Sequence, residues 1–364
     1  MKIAITGLSN SGKTTVFNAL TGQKAETTIY PTAAGASPNL GVVKVPDDRV
    51  DRLTEIFKPK KTTYAAVEYV DFIGITKGDP KQNKAVFDLL RDADAIVHVV
   101  RAFEDDSVIH PLSGVDPARD VRTLESELVF FDFELVEKRL ESMELMSKKG
   151  KKPPEDEKKV LLKCKEALEK EIPLRDVSLT LDELKAIRHL QFYSMKPEVV
   201  VINIGESGLG SEKVKGLESE TKEILKRSPM ADVISLCGKI ESELTELSPE
   251  EARSFLDDLG IGEPALRRLI HASYALLGLI SFLTAGEDEV RAWTIKRGTS
   301  AQEAAGKIHS DIEKGFIRAE VISFEDFISV GGDMVEAKSK GLLRLEGKTY
   351  TVKDGDIINF RFSV

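Results

Sequence analysis

The chain has 364 residues, of which 41% are apolar and 31% charged, with a formal net charge of −9. That length exceeds what one compact core holds and points to two or three domains, while the composition excludes a largely disordered chain. The acidic balance argues against non-specific coating of nucleic acid, so no DNA partner is expected and any RNA would be met through a local patch. Two cysteines, Cys164 and Cys237, lie far apart with no metal-ligand spacing around either, which excludes a disulfide framework and fits a reducing cytosol.

The N-terminal "MKIAITGL" reads as a core strand and not as a signal peptide. No apolar run approaches the roughly 20 residues that span a bilayer. A soluble, cytoplasmic protein without a membrane partner is expected.

The first strand runs directly into "GLSNSGKTT". Gly7, Gly12, Lys13 and Thr14 fit G-x-x-x-x-G-K-[ST], in which glycines let successive N–H groups curl around a phosphate. The cradle comprises Asn10, Ser11, Gly12, Lys13, Thr14 and Thr15. Lys13 would neutralise the β- and γ-phosphates and Thr14 would place its hydroxyl on Mg²⁺. The helix opening at the same point turns its positive end toward the anion.

Apolar runs recur at "AAVEYVDFI", "DAIVHVVRAF", "PEVVVINI" and "ADVISLC" between helical patterns, the βαβ signature of a parallel sheet. The first of them ends in Asp71 with Gly74 three residues on. In such a D-x-x-G the carboxylate holds a water of Mg²⁺ and the glycine amide senses the γ-phosphate. Ile75 follows where many GTPases carry a water-orienting glutamine, and an isoleucine cannot position water.

Between His110 and Lys196 charged helical sequence replaces the strands. Leu124, Leu128, Phe131, Leu135 and Leu140 fall near helical spacing, and "SKKGKKPPED" makes a turn, so an inserted helical hairpin is expected. After the hairpin, "VVVINIGES" ends in Asn203, Ile204, Gly205 and Glu206 where a guanine reader would carry Asn-Lys-x-Asp. The guanine-selective aspartate is therefore missing. "SLCGKIESEL", with Ser235, Cys237 and Gly238, stands where backbone usually contacts the base. Beyond Gly278, "LISFLTA", "EVRAWTI" and "IINFRFSV" surround a helical stretch and read as a small α+β domain.

These motifs together with "FLTAGEDEVRAWTIKRGTSAQEAAGKIHSDIEKGFIRAEVISFEDF" resemble the Obg-like ATPase family, also called YchF, over nearly the whole chain. The resemblance implies an α/β P-loop NTPase with an inserted α-helical hairpin and a C-terminal, ubiquitin-like TGS domain. It divides the chain into 1–112 and 196–278 for the NTPase, 113–195 for the insert and 279–364 for the TGS domain. It further implies an ATPase that takes GTP less well, Mg²⁺ as cofactor and the ribosome as partner. By the same resemblance His110 occupies the place of a catalytic histidine, and Ile75 replaces the catalytic glutamine beside Gly74.

The chain departs from that family where members read Asn-Tyr-Pro-Phe-x-Thr. Here the residues are Ile29, Tyr30, Pro31, Thr32, Ala33 and Ala34. Counted without a gap, Ala34 takes the place of the metal-binding threonine, and Thr32 stays a metal candidate beside Thr14 and Asp71 on condition of a different loop path. The glycine-rich run after Gly78 is replaced by "DPKQNKAVFDLL". Slow turnover is expected, with a nucleotide-dependent binding module of little or no hydrolysis as the alternative.

Overall fold

The computed structural model of the chain describes residues 1–25, 38–72, 74–75, 80–226 and 228–363. β1 (Lys2–Thr6) leads into α1 (Lys13–Thr21), and β2 (Asn39–Lys44), α2 (Asp48–Phe57), β3 (Lys61–Thr63) and β4 (Ala66–Asp71) follow. Next come α3 (Pro80–Leu90), β5 (Ala95–Ala102), α4 (Pro117–Lys148), α5 (Glu155–Glu169) and α6 (Leu181–Ile187). The chain continues through β6 (Glu198–Ile204), α7 (Glu212–Ile224), β7 (Ala231–Leu236), α8 (Gly238–Leu244), α9 (Pro249–Asp258) and α10 (Ala265–Leu276). It ends with β8 (Leu279–Thr284), β9 (Glu289–Lys296), α11 (Ala301–Ile308), α12 (Ser310–Lys314), β10 (Phe316–Ser323), α13 (Phe324–Ser329), α14 (Met334–Ser339), β11 (Arg344–Glu346) and β12 (Asp356–Phe362). Contacts divide these elements into two compact units, Met1–Gly41 with Glu68–Ser273, and Val42–Val67 with Tyr274–Val364.

The sheet of the first unit has the strand order β2-β4-β1-β5-β6-β7. β1 pairs in parallel with both β4 and β5, β5 with β6, and β6 with β7. β6 is buried along its whole length and β5 along all but its last residue, as expected of strands covered on both faces by helices. The order reverses at β1, and the crevice outside the carboxyl ends of strands at such a point is where this fold class binds ligands. Thr6, Asp71, Ala102, Ile204 and Leu236 are the last residues of β1, β4, β5, β6 and β7. Parallel pairing therefore gathers every nucleotide motif at one end of the sheet.

α4 is started by Asp116, whose side chain accepts the Arg119 N–H, and by Pro117 at the first helical turn. Its apolar stripe serves two cores. Leu124 and Leu128 join the cluster of Ile75, Phe87, Leu90 and Tyr193, with Phe131 packed on Phe87 at 4.1 Å between ring centroids. Val129, Val136 and Met143 instead meet Val160, Leu161, Cys164 and Leu168 of α5, with Leu135 and Leu140 partly buried alongside. Full burial of each such side chain contributes about 1.5–3 kcal/mol, enough to make the hairpin a packed element and not a loose charged arm.

The second unit carries a sheet in the order β11-β10-β12-β8-β9-β3, with α11 covering Ile280, Phe282, Ile295 and Val321. The expected helix over "SAQEAAGKIHSDIEK" is two helices, because His309 adopts an extended backbone between α11 and α12. Residues 42–67, read from sequence as part of the first segment, cluster here. The reason is local: β3 pairs in parallel with β9, Val50 and Leu53 of α2 are wholly buried, and Phe57 stacks on Phe327 at 5.8 Å.

Candidate functional site

The loop after β1 is a tight cradle. At Gly12 φ is +91°, and a Cβ built there would lie 2.2 Å from Asn203 Nδ2, so only glycine fits. Asn10 adopts φ +63° and donates from Nδ2 to the Ile109 carbonyl at 2.9 Å. The Lys13 ammonium is buried and donates to the Leu8 carbonyl at 2.8 Å. A Cβ on Gly74 would come within 2.8 Å of Lys13 Nζ and of the Ser9 backbone, which places the D-x-x-G glycine directly against the lysine.

Burial lowers the Lys13 pKa to about 8, the charge of Asp71 opposing the shift. Burial likewise raises Asp71, against hydrogen bonds from Thr14 and Asn39 and the charge of Lys13. A cation with one carbonyl partner in a desolvated cradle is poised for an anion. Among the described residues Ser11 Oγ and Asp71 Oδ1 are both buried without a partner, which leaves polar capacity at the cradle.

The donor set suits Mg²⁺. Thr14 offers a hydroxyl, and its bond to Asp71 Oδ2 at 2.9 Å leaves Oδ1 as an acceptor for a metal-bound water. Among the described residues no cluster of three His, Cys, Asp or Glu side chains is placed to hold a metal. That fits an ion held by a hydroxyl, phosphate oxygens and water. Thr32 and Ala34 lie outside the described residues, as does Gly78.

Asn203 is a strut. Its Nδ2 donates to the Ser11 carbonyl and its Oδ1 accepts the Gly238 N–H, both at 3.0 Å, tying the phosphate loop to the β7–α8 turn. Ile204 and Cys237 are buried in the adjoining core, and burial pushes the Cys237 thiol up. Ser235 bonds Glu218, and Thr15 lies against Gly238. Of this group Glu206 is exposed and Thr15 and Ser235 are half-buried. Glu206 pairs with Lys239 at 2.6 Å, the bond holding the ammonium above its ordinary value.

Ile75 is fully buried, and its N–H donates to the Gly7 carbonyl at 2.9 Å. His110 is not brought to the cradle by its ring. Nδ1 accepts the Leu112 N–H at 3.1 Å, so the proton of the neutral ring sits on Nε2 and is donated to Asp120 at 2.9 Å. Asp120 is held in turn by Arg119.

Sequence reasoning missed Phe103, Asn39 and Lys239. Phe103 lies beside both Gly12 and Gly205, 3.9 and 3.7 Å from where their Cβ atoms would be, with Arg101 over its ring at 4.5 Å. It is the first aromatic residue after the β5 run, a signal available in "VVRAF". Asn39 donates to Asp71 Oδ2 at 3.4 Å.

Residues 2–130 match a family described as a 50S ribosome-binding GTPase, and residues 279–363 match a YchF GTPase C-terminal family described as a protein of unknown function. The chain is 46% identical to the protein named Ribosome-binding ATPase YchF of Bacillus subtilis (strain 168), over 99% of this chain and 98% of that one. Its counterpart of the same name in Escherichia coli O157:H7 is 42% identical over 100% and 99%. The solved structure of the Schizosaccharomyces pombe YchF GTPase matches at 31% identity with a TM-score of 0.84, covering 99% of this chain and 97% of that one.

Proposed function

This chain belongs to the YchF family, and from that premise we propose that it binds and hydrolyses ATP and associates with the ribosome in the cytoplasm. The observation that carries the reading is the full-length likeness to relatives named ribosome-binding ATPases. Lys13 and the amides of Asn10 to Thr15 hold the phosphates, and the Gly74 amide meets the terminal one. Thr14 and Asp71, with Thr32 as a further candidate, would hold Mg²⁺, which when bound would neutralise charge on the β- and γ-phosphates. Asn203, Ile204 and the turn of Ser235, Cys237 and Gly238 shape the base side, and Phe103 supplies an apolar wall. Glu206 replaces the guanine-reading aspartate and gives ATP the advantage over GTP. The segments 1–112 and 196–278 form the NTPase except for residues 42–67, which cluster with the C-terminal segment, while 113–195 form the helical insert and 279–364 the TGS domain.

Two observations favour the second reading, a nucleotide-dependent binding module with little hydrolysis. Ile75 is sunk in the core, and both ring nitrogens of His110 are engaged. Phosphate release from ATP, measured with and without ribosomes, decides between them. Turnover absent from Lys13→Ala and present in the native chain supports hydrolysis; ATP binding without release under either condition supports the module.

A further inference from the structure

The turn between α4 and α5 reads Ser147-Lys148-Lys149-Gly150-Lys151-Lys152-Pro153-Pro154, with four ammonium groups and no carboxylate. All four lysines are exposed. Elsewhere on the hairpin several cations are matched, Lys138 with Glu134, Arg139 with Glu157, Lys163 with Glu183 and Lys165 with Glu137, while Lys158 and Lys159 are scattered among the carboxylates at the start of α5. Among the described residues none of the four tip lysines has a carboxylate within ion-pair distance. Glu155 and Asp156 open α5 just behind the turn and offset part of this charge.

The turn is built, not frayed. The N–H groups of Lys149 and Lys151 return to the Met146 carbonyl at 3.1 and 3.0 Å, and Gly150 closes the helix at φ +74°. The last buried residue of α4 is Met143, so the tip projects beyond the hairpin core. At 1.5 Å per residue the 32-residue helix carries it about 48 Å from its start. Complementing the negative end of α4 accounts for Lys148 and Lys149. Lys151 and Lys152 lie past the cap, and four like charges in one turn repel one another in a chain of net charge −9.

Resting on the ribosome association proposed above, we propose that this tip docks on the phosphate backbone of RNA, with Lys148, Lys149, Lys151 and Lys152 as the contacts. Ammonium groups are compact charges suited to phosphate. The turn holds no arginine, asparagine, glutamine or aromatic side chain with which to read bases, so docking is independent of sequence.

The test uses the full chain in two arms across a salt series: co-sedimentation with 70S ribosomes, and filter binding to deproteinised ribosomal RNA. The variant combining Lys148→Gln, Lys149→Gln, Lys151→Gln and Lys152→Gln should lower the slope of log affinity against log salt by about three in both arms. The corresponding lysine-to-arginine variant should keep the slope, and ribosome-free ATP turnover and melting should not change in either. A glutamine variant with native affinity and slope overturns the proposal. Loss on ribosomes with RNA binding unchanged overturns it in favour of a protein contact. If the native chain fails to sediment with ribosomes at any salt, the ribosome reading fails, and the RNA arm still decides the tip.

Discussion

Thr14 donates its hydroxyl to Oδ2 of Asp71 at 2.9 Å, while Oδ1 of the same carboxylate is buried with no partner among the described residues. A buried acceptor left in this way is costly unless a ligand satisfies it, and a water of Mg²⁺ is the ligand that fits. Asp71→Asn keeps the shape and removes the charge. The Mg²⁺ requirement of ATP binding should weaken and turnover should fall at least ~100-fold, about 2.7 kcal/mol of transition-state stabilisation. The melting temperature should hold, because burial already disfavours the charged carboxylate. A magnesium titration of turnover beside a melting curve checks both; native magnesium dependence in the variant contradicts the assignment.

The buried lysine gives a pH signature with opposite signs for folding and for binding. Lys13 is lowered from 10.5 to about 8 in the ligand-free chain. Between those values the unfolded chain binds more protons than the folded one, so the Lys13 contribution to folding stability improves as pH rises through this window. Phosphate favours the charged ammonium. ATP binding should therefore take up about half a proton at pH 8, with affinity falling above that by up to tenfold per pH unit. Calorimetry in buffers of different ionisation enthalpy reads the uptake. Lys13→Ala should fold normally and lose both the uptake and most of the affinity; an alanine variant that binds labelled ATP like the native chain removes the phosphate-loop assignment.

The candidate phosphate site was legible because its chemistry is local. A glycine-bounded loop between strand and helix, and an aspartate three residues before a glycine, carry their meaning in spacing, and the sheet brings them together through the register Ile5 with Asp71. Relations that only tertiary contacts create were not legible. Nothing in "VVRAF" says that Phe103 reaches Gly12, and nothing in "KTT" says that β3 adds itself to a strand more than two hundred residues away. His110 shows the same limit. Its position follows from the loop, but its proton is held by Asp120, ten residues on across a helix start.

On the base side, preference for ATP over GTP should be about tenfold. Guanine needs an aspartate that accepts two hydrogen bonds from its edge, and a site lacking it leaves those donors unpaired. Glu206 is exposed and engaged by Lys239 instead. Glu206→Ala, which lacks the aspartate as well, should keep this preference when the dissociation constants of the two triphosphates are measured side by side with Mg²⁺. Equal constants in the native chain would contradict the role given to Glu206.

Hydrolysis should be slow, because the groups that place water are committed elsewhere. The Ile75 side chain is spent in the core, and for His110 to meet a water it must first give up Asp120. Freeing the ring is therefore the informative change. Asp120→Asn weakens a charge-assisted bond and loosens the Arg119 contact, at a stability cost of about 1–3 kcal/mol. If His110 works once released, this variant should turn over ATP several-fold faster at unchanged KM without ribosomes. His110→Ala should lower turnover roughly tenfold or more in either background. Should His110→Ala leave the rate of both untouched, the imidazole serves only to anchor its loop to α4, and water is placed by some other group.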